Sequence, residues 1–185
     1  MSTPFKPTRE QLDRAVEKRV PDLIAPDLRV LFCGINPGLY SGATGHHFAR
    51  PGNRFWPALA LGGFTPKILS PFDEAELLEL GIGITNFVMR TTARADELSD
   101  DEIRSGAKKL RAKVIRHRPR VLAVLGVGAF RIGFGEKKAR LGIQEEKIGD
   151  SIVWILPNPS GLNAHFTPKT LGKLFGELRE FVDSI

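Results

Sequence analysis

LRVLFCGINPGLYSGATGHHFARPGNRFW, residues 28–56, changes character after its sixth residue. The first part is mostly apolar and short, as in a strand buried on both faces. The remainder is dense in glycine and proline, which marks a loop. Yet this loop carries adjacent His46 and His47 and the aromatic residues Tyr40, Phe48, Phe55 and Trp56. A mere connection has no use for such side chains.

The same alternation continues downstream. Short apolar runs at 82–88, 121–125 and 152–156 predict three more strands. Between them, 53–61 reads as a helix ended by Gly62-Gly63, and 72–80 as another closed by Gly81. Ser99-Asp100-Asp101-Glu102 is a capping box followed by the apolar stripe Ile103, Ala107, Leu110 and Val114. Gly126-Val127-Gly128 opens a short helix. Thr167-Pro168 opens the last one, with the stripe Leu171, Leu174, Phe175, Leu178, Phe181 and Ile185. A capping box at Thr8 to Gln11 predicts a helix over 8–20, ended by Pro21 and Pro26. Strands alternating with helices predict an α/β fold: a three-layer αβα sandwich around a mainly parallel sheet of four to five strands. Residues 1–20 read as an N-terminal helical extension, and 21–185 as a single domain.

In such folds ligands bind beyond the carboxyl ends of the strands. The loops at 35–52, 89–98, 126–128 and 157–165 all leave that edge and are expected to converge on one cleft. Lys plus Arg outnumber Asp plus Glu by 27 to 21, a net charge of +6 that suits an anionic partner without demanding one. The one cysteine, Cys33, sits in an apolar run and reads as a buried small hydrophobe. A disulfide within the chain and a cysteine-ligated cluster are excluded. No signal-peptide pattern opens the sequence, and no apolar run approaches the roughly 18 residues of a membrane span. A cytoplasmic protein is expected.

Asn36-Pro37-Gly38 is by itself an ordinary turn opener. But Asn158-Pro159-Ser160-Gly161 repeats the pattern after another strand on the same edge. Taken in order, Gly34-Ile35-Asn36-Pro37-Gly38, Gly45-His46-His47-Phe48, Pro51-Gly52-Asn53-Arg54-Phe55-Trp56 and Asn158-Pro159-Ser160-Gly161-Leu162 resemble the mismatch-specific uracil-DNA glycosylase and thymine-DNA glycosylase family, within the uracil-DNA glycosylase superfamily. The resemblance runs from about residue 21 to the C-terminal helix. It implies a monofunctional DNA glycosylase, acting as a monomer without metal or cofactor, that flips uracil out of a U:G mismatch in double-stranded DNA, with single-stranded DNA as a further partner. Related modified pyrimidines are expected substrates too.

The resemblance also assigns roles. Asn36 matches the catalytic asparagine, whose amide orients the attacking water rather than acting as a strong base. Phe48 matches the aromatic that stacks on the flipped base; otherwise it is a core phenylalanine. Ile35 and residues 38–40, Gly38 and Tyr40 among them, are expected to offer backbone groups to the base. Ser41 matches the position near C5 of the pyrimidine. Leu162 matches the wedge that enters the duplex, or else is a plain loop leucine. Asn158, Ser160, Gly161 and Asn163 belong to the wedge loop.

Two positions depart from the family. Ala164 stands where bacterial members usually carry an arginine, which leaves Asn163 and His165 as its neighbours and implies weaker dependence on the opposite base. Asp96 stands where related chains tend to have Asn or Lys; it is either a carboxylate that activates the water or a solvated aspartate just before Ser99. His46 and His47 diverge as neighbours and read as a phosphate contact or a pocket wall. The basic residues at 104–116 read as a solvated helix face. A dehydrogenase-like nucleotide site at Gly126-Val127-Gly128 is the second reading, weakened because Arg131 occupies the third glycine position. A catalytically silent DNA-binding module is the third.

Overall fold

Five strands form one sheet: β1 (Val30–Gly34), β2 (Ile82–Asn86), β3 (Val121–Leu125), β4 (Gly142–Ile143) and β5 (Ile152–Leu156). Their order is β2-β1-β3-β5-β4, parallel throughout except for the β4–β5 pair. The computed structural model describes residues 5–185, so residues 1–4 of the expected N-terminal extension lie outside the described residues.

Period-2 alternation sends side chains of each central strand to two cores. Val30 and Phe32 of β1, and Val121, Ala123 and Leu125 of β3, face one core with α3 (Phe55–Leu61) and α7 (Pro168–Ser184). Leu31 and Cys33, with Leu122 and Val124, face the other with α5 (Asp100–His117) and α6 (Val127–Phe134). Helices on both faces of a parallel sheet complete the αβα sandwich. Phe32 is the hub of the first core. Phe55 and Phe64 meet it edge-on at 5.4 and 5.6 Å, and Phe175 stacks on it at 5.6 Å, geometries that the ring quadrupole favours. Burial of Cys33 pushes its thiol pKa far up, as fits an inert core residue.

Several elements differ from the sequence expectation. The N-terminal helix is only α1 (Arg9–Asp13), although its Thr8–Gln11 capping box forms. Past it the backbone bonds elsewhere: the Thr91 hydroxyl donates to the Ala15 carbonyl, and the Glu17 N–H donates to the Thr91 carbonyl. Glu17 accordingly turns left-handed at φ 62°. The expected helix at 72–80 is a 3-10 turn, Pro71–Asp73, and a single helical turn, α4 (Glu76–Glu79). The loop after β1 contains an unexpected helix, α2 (Leu39–Thr44). On α7 the last buried position is Val182, and Ile185 is exposed.

Helix α5 lies hard against the end of β2. A Cβ on Gly106 would come within 2.3 Å of the Phe87 carbonyl oxygen. Backbone cannot yield as a side chain can, so Gly106→Ala is expected to cost about 1–3 kcal/mol, the scale of overpacking. A lower urea midpoint would register this; an unchanged midpoint would show that the helix shifts freely.

Candidate active site

The pairing of β1 with β2 does not stop at the sheet. Phe87 N–H donates to Gly34 O and Val88 N–H to Ile35 O, both at 3.0 Å, and Thr92 N–H reaches Pro37 O at 3.3 Å. This zipper carries Asn36, two residues past β1, against the segment after β2. There the Asn36 Nδ2 donates to Arg90 O at 3.0 Å and to Thr92 Oγ1 at 2.8 Å. The Thr92 hydroxyl donates its own proton to Arg94 O, so both partners of Nδ2 are acceptors. That fixes which end of the amide is nitrogen. Asn36 Oδ1 is the end left to receive a proton donor such as water.

The Arg90–Thr92 segment is held from its other side. Thr91 N–H donates to Lys18 O at 2.8 Å, and Arg19 bridges Arg90 antiparallel. The Arg90 guanidinium bonds Glu102 and Glu17, at 2.7 Å each for the nearest contacts. Hydrogen bonding from Arg90, then from the Ser99 backbone, lowers the Glu102 carboxyl to about 2.

These segments wall a cleft of about 650 Å³ at the carboxyl edge of β1. Three of the four expected loops line it; residues 126–128 do not, since Gly126 packs behind Ile35 and Asn158. Phe48 forms one wall, half-buried, at φ 51°, with its ring stacked on Phe55 at 4.2 Å. Asn86 also lines the cleft, only 4% exposed, and its Nδ2 has no partner among the described residues. A buried amide without a partner costs on the order of 1–3 kcal/mol, which a ligand can recover. Gly34 makes room for both: a Cβ there would meet Asn86 Oδ1 at 2.6 Å and Phe48 Cζ at 3.4 Å.

His47 lines the cleft beside Phe48 and is 2% exposed. Its Nε2 lies 2.8 Å from Pro21 O, which can only accept, so Nε2 carries the proton. Burial lowers its pKa, against the opposing pull of Glu74. Glu74 accepts from His47 N–H at 2.8 Å and bonds His46 Nδ1 at 3.0 Å.

Gly38 caps α2 without a side chain, so the first N–H groups of the helix, including those of Leu39 and Tyr40, lack intrahelical partners beside the cleft. The Ile35 carbonyl is already occupied by Val88. Ser41 is buried, and its Oγ accepts from Ala49 N–H at 3.2 Å, closing the loop that presents Phe48.

Across the cleft, the segment after β5 is folded by its own side chains. Asn158 Oδ1 accepts from Ser160 N–H at 2.9 Å and Ser160 Oγ from Leu162 N–H at 3.2 Å. The Asn163 amide turns inward, donating to Asn158 O and accepting from His165 N–H. Leu162 stands 75% exposed at the rim. Asp96 also lines the cleft mouth, in the 3-10 turn Ala95–Glu97, paired with Arg94. Gly161 and Asn163 stay outside the cleft lining.

The sequence matches the model of the Uracil DNA glycosylase superfamily over residues 21–179. The chain belongs to the uracil DNA glycosylase superfamily. Among its described residues no helix is long and apolar enough to cross a membrane, and no three His, Cys, Asp or Glu side chains gather where a metal ion could be held. Sequence reading overlooked two residues of this superfamily member's cleft region. Asn86 was hidden inside what read as an apolar strand over 82–88, although Thr85-Asn86 is a polar pair within it. Arg54 was quoted within a motif but given no task.

His47 supplies a pH test. Its folded pKa lies below the ordinary 6.5 of the unfolded chain. The unfolded state therefore takes up the proton first, and stability present above pH 6.5 is lost as pH falls through the depressed folded pKa. Denaturant midpoints measured from pH 7.5 to 5 should fall. His47→Gln, which keeps an N–H for Pro21 but does not titrate, should remove part of that slope. An identical slope in the variant would assign it elsewhere.

Proposed function

We propose that this superfamily member is a monofunctional, mismatch-directed uracil-DNA glycosylase that hydrolyses the N-glycosidic bond of a flipped uracil and leaves an abasic site. The observation that carries the reading is the pair of amides in one cleft. Asn36 is locked with its oxygen free, and Asn86 is buried with its nitrogen unpartnered. An unpartnered amide offers a donor and an acceptor side by side. The imide edge of uracil, a carbonyl beside N3–H, is its complement. Phe48 supplies the face on which such a base would stack.

The chemistry then follows. The base leaves the duplex at a cost of a few kcal/mol, least when mispaired. Leu162, exposed at the rim, fills the vacated stack. Asn36 Oδ1 accepts a hydrogen bond from a water and holds its oxygen toward C1′. The water oxygen bonds to C1′ as the C1′–N bond breaks, and that electron pair goes to the base. Donors from Asn86 and from the first turn of α2 stabilise the departing anion. The proton of the water passes to solvent, or to Asp96 when its pair with Arg94 opens. Ser41, which lines the same cleft as Phe48, would crowd a thymine methyl there. With Ala164 in the wedge loop, the opposite guanine has no arginine to meet, so U:A and single-stranded uracil are processed too, less well than U:G.

End-labelled duplexes with U:G, U:A or T:G, and a single strand with uracil, test this after alkaline cleavage. Free uracil and alkali-dependent cuts in the presence of EDTA are expected. Strands that stay intact throughout would leave a catalytically silent DNA-binding module. Asn36→Ala should slow single-turnover excision by about two to four orders of magnitude, the scale of a lost positioning group, while DNA binding survives. Asn86→Ala should lose base capture but bind abasic product as before. Wild-type rates in either variant would remove that amide from the mechanism. Asp96→Asn should slow single-turnover excision of uracil; an unchanged rate would leave Asp96 a solvated aspartate.

A further inference from the structure

Leu162 is a large apolar side chain held out in solvent, and something must keep its loop from collapsing onto the protein. The loop's own Asx and Ser turns set its local shape. A separate residue ties it to the body. Arg54, at the N-cap of α3, donates from Nη1 to Asn163 O at 2.6 Å and to Phe166 O at 2.5 Å, and from Nη2 to Gly161 O at 3.2 Å. Its backbone N–H donates to Pro159 O at 2.9 Å. Four carbonyls, at 159, 161, 163 and 166, thus converge on one residue, on both sides of Leu162. No carboxylate pairs with Arg54 among the described residues. Its three side-chain hydrogen bonds all go to the loop, a use that the planar guanidinium suits and a lysine ammonium does not. The approach is close as well, since a Cβ on Gly161 would lie 2.6 Å from Gly52 O.

We infer that Arg54 is a positioning residue for strand penetration: it pre-organises the loop so that Leu162 enters the DNA stack without first being ordered. The inference rests on the glycosylase reading above. Ordering a loop upon binding costs free energy that a preformed loop does not pay again. Arg54 therefore acts on duplex substrates, through Leu162, and touches neither base nor water.

The test compares single-turnover excision from a U:G duplex and from single-stranded uracil DNA, for wild type, Arg54→Met, Arg54→Lys, Leu162→Ala and the double variant Arg54→Met/Leu162→Ala. Arg54→Met should lower the duplex-to-single-strand rate ratio by about ten- to a hundredfold, the scale of a misplaced contributing group. Arg54→Lys should recover only part of it. In the Leu162→Ala background the ratio should not fall further, because two residues acting as a unit are not additive. Should Arg54→Met fold poorly, Gly161→Ala keeps the Arg54 side chain but pushes the loop off Gly52 and off the Arg54 Nη2 contact, and the same fall in ratio is expected. Equal losses on both substrates, or a full Arg54→Met effect that persists without Leu162, would overturn the inference and leave Arg54 as a structural staple. A wild type inert on every strand overturns the glycosylase reading and the inference with it.

Discussion

The site depends on one lateral pairing, that of residues 34–38 with residues 86–92. Within the sheet it is an ordinary parallel ladder, Val30 to Gly34 against Ile82 to Asn86. Beyond the sheet it continues through Phe87, Val88 and Thr92. Neither segment could hold its shape there alone, because past the last strand residue the backbone has no further ladder of its own. Zipped together, they bring Asn36, just past β1, and Asn86, at the end of β2, into one cleft. They also convert a freely rotating amide into one with a defined oxygen end. A buried or half-buried polar network of this kind is useful only when its internal members are satisfied, and here those facing inward are. Among the described residues Asn86 Nδ2 is buried without a partner, and it lines the cleft.

The apolar wall is equally continuous with the fold. Phe48 stacks on Phe55, Phe55 meets Phe32, and Phe32 stacks on Phe175 of the last helix. The ring that walls the cleft is thus the outer end of a column of rings that runs into the main core. Phe48 adopts a left-handed φ, uncommon for a bulky residue. Ser41, by capping Ala49 N–H, helps to hold the turn that makes this conformation the stable one.

Much of this was legible in the sequence. β3 and β5 fall on the residues that the apolar runs predicted, because strands buried on both faces leave an unbroken hydrophobic signal. The Ser99 capping box and the stripe Ile103, Ala107, Leu110 and Val114 gave α5, since local hydrogen bonding and period both point there. Other features escaped for identifiable reasons. α2 lies in Leu39–Thr44, where glycine density argues loop, and it is held by packing on α1 rather than by propensity. α1 stops early because Thr91 takes the bonds that would extend it, a partner some 75 residues away. β4 is two residues long and has no period to read. The work of Asn86 and Arg54 is relational: each matters through atoms that sequence order keeps far apart.

Gly34 carries a consequence that no single contact reveals. Its backbone needs no left-handed turn, so conformation does not demand glycine there. What demands it is the space of one methyl group, already shared by the Asn86 amide and the edge of Phe48. The polar floor and the aromatic wall are therefore mechanically geared through one vacant volume. Any side chain at that point would move both, and neither could be retuned from there without disturbing the other. The shape of what such a cleft can admit is bounded by a carbon atom that the chain leaves out.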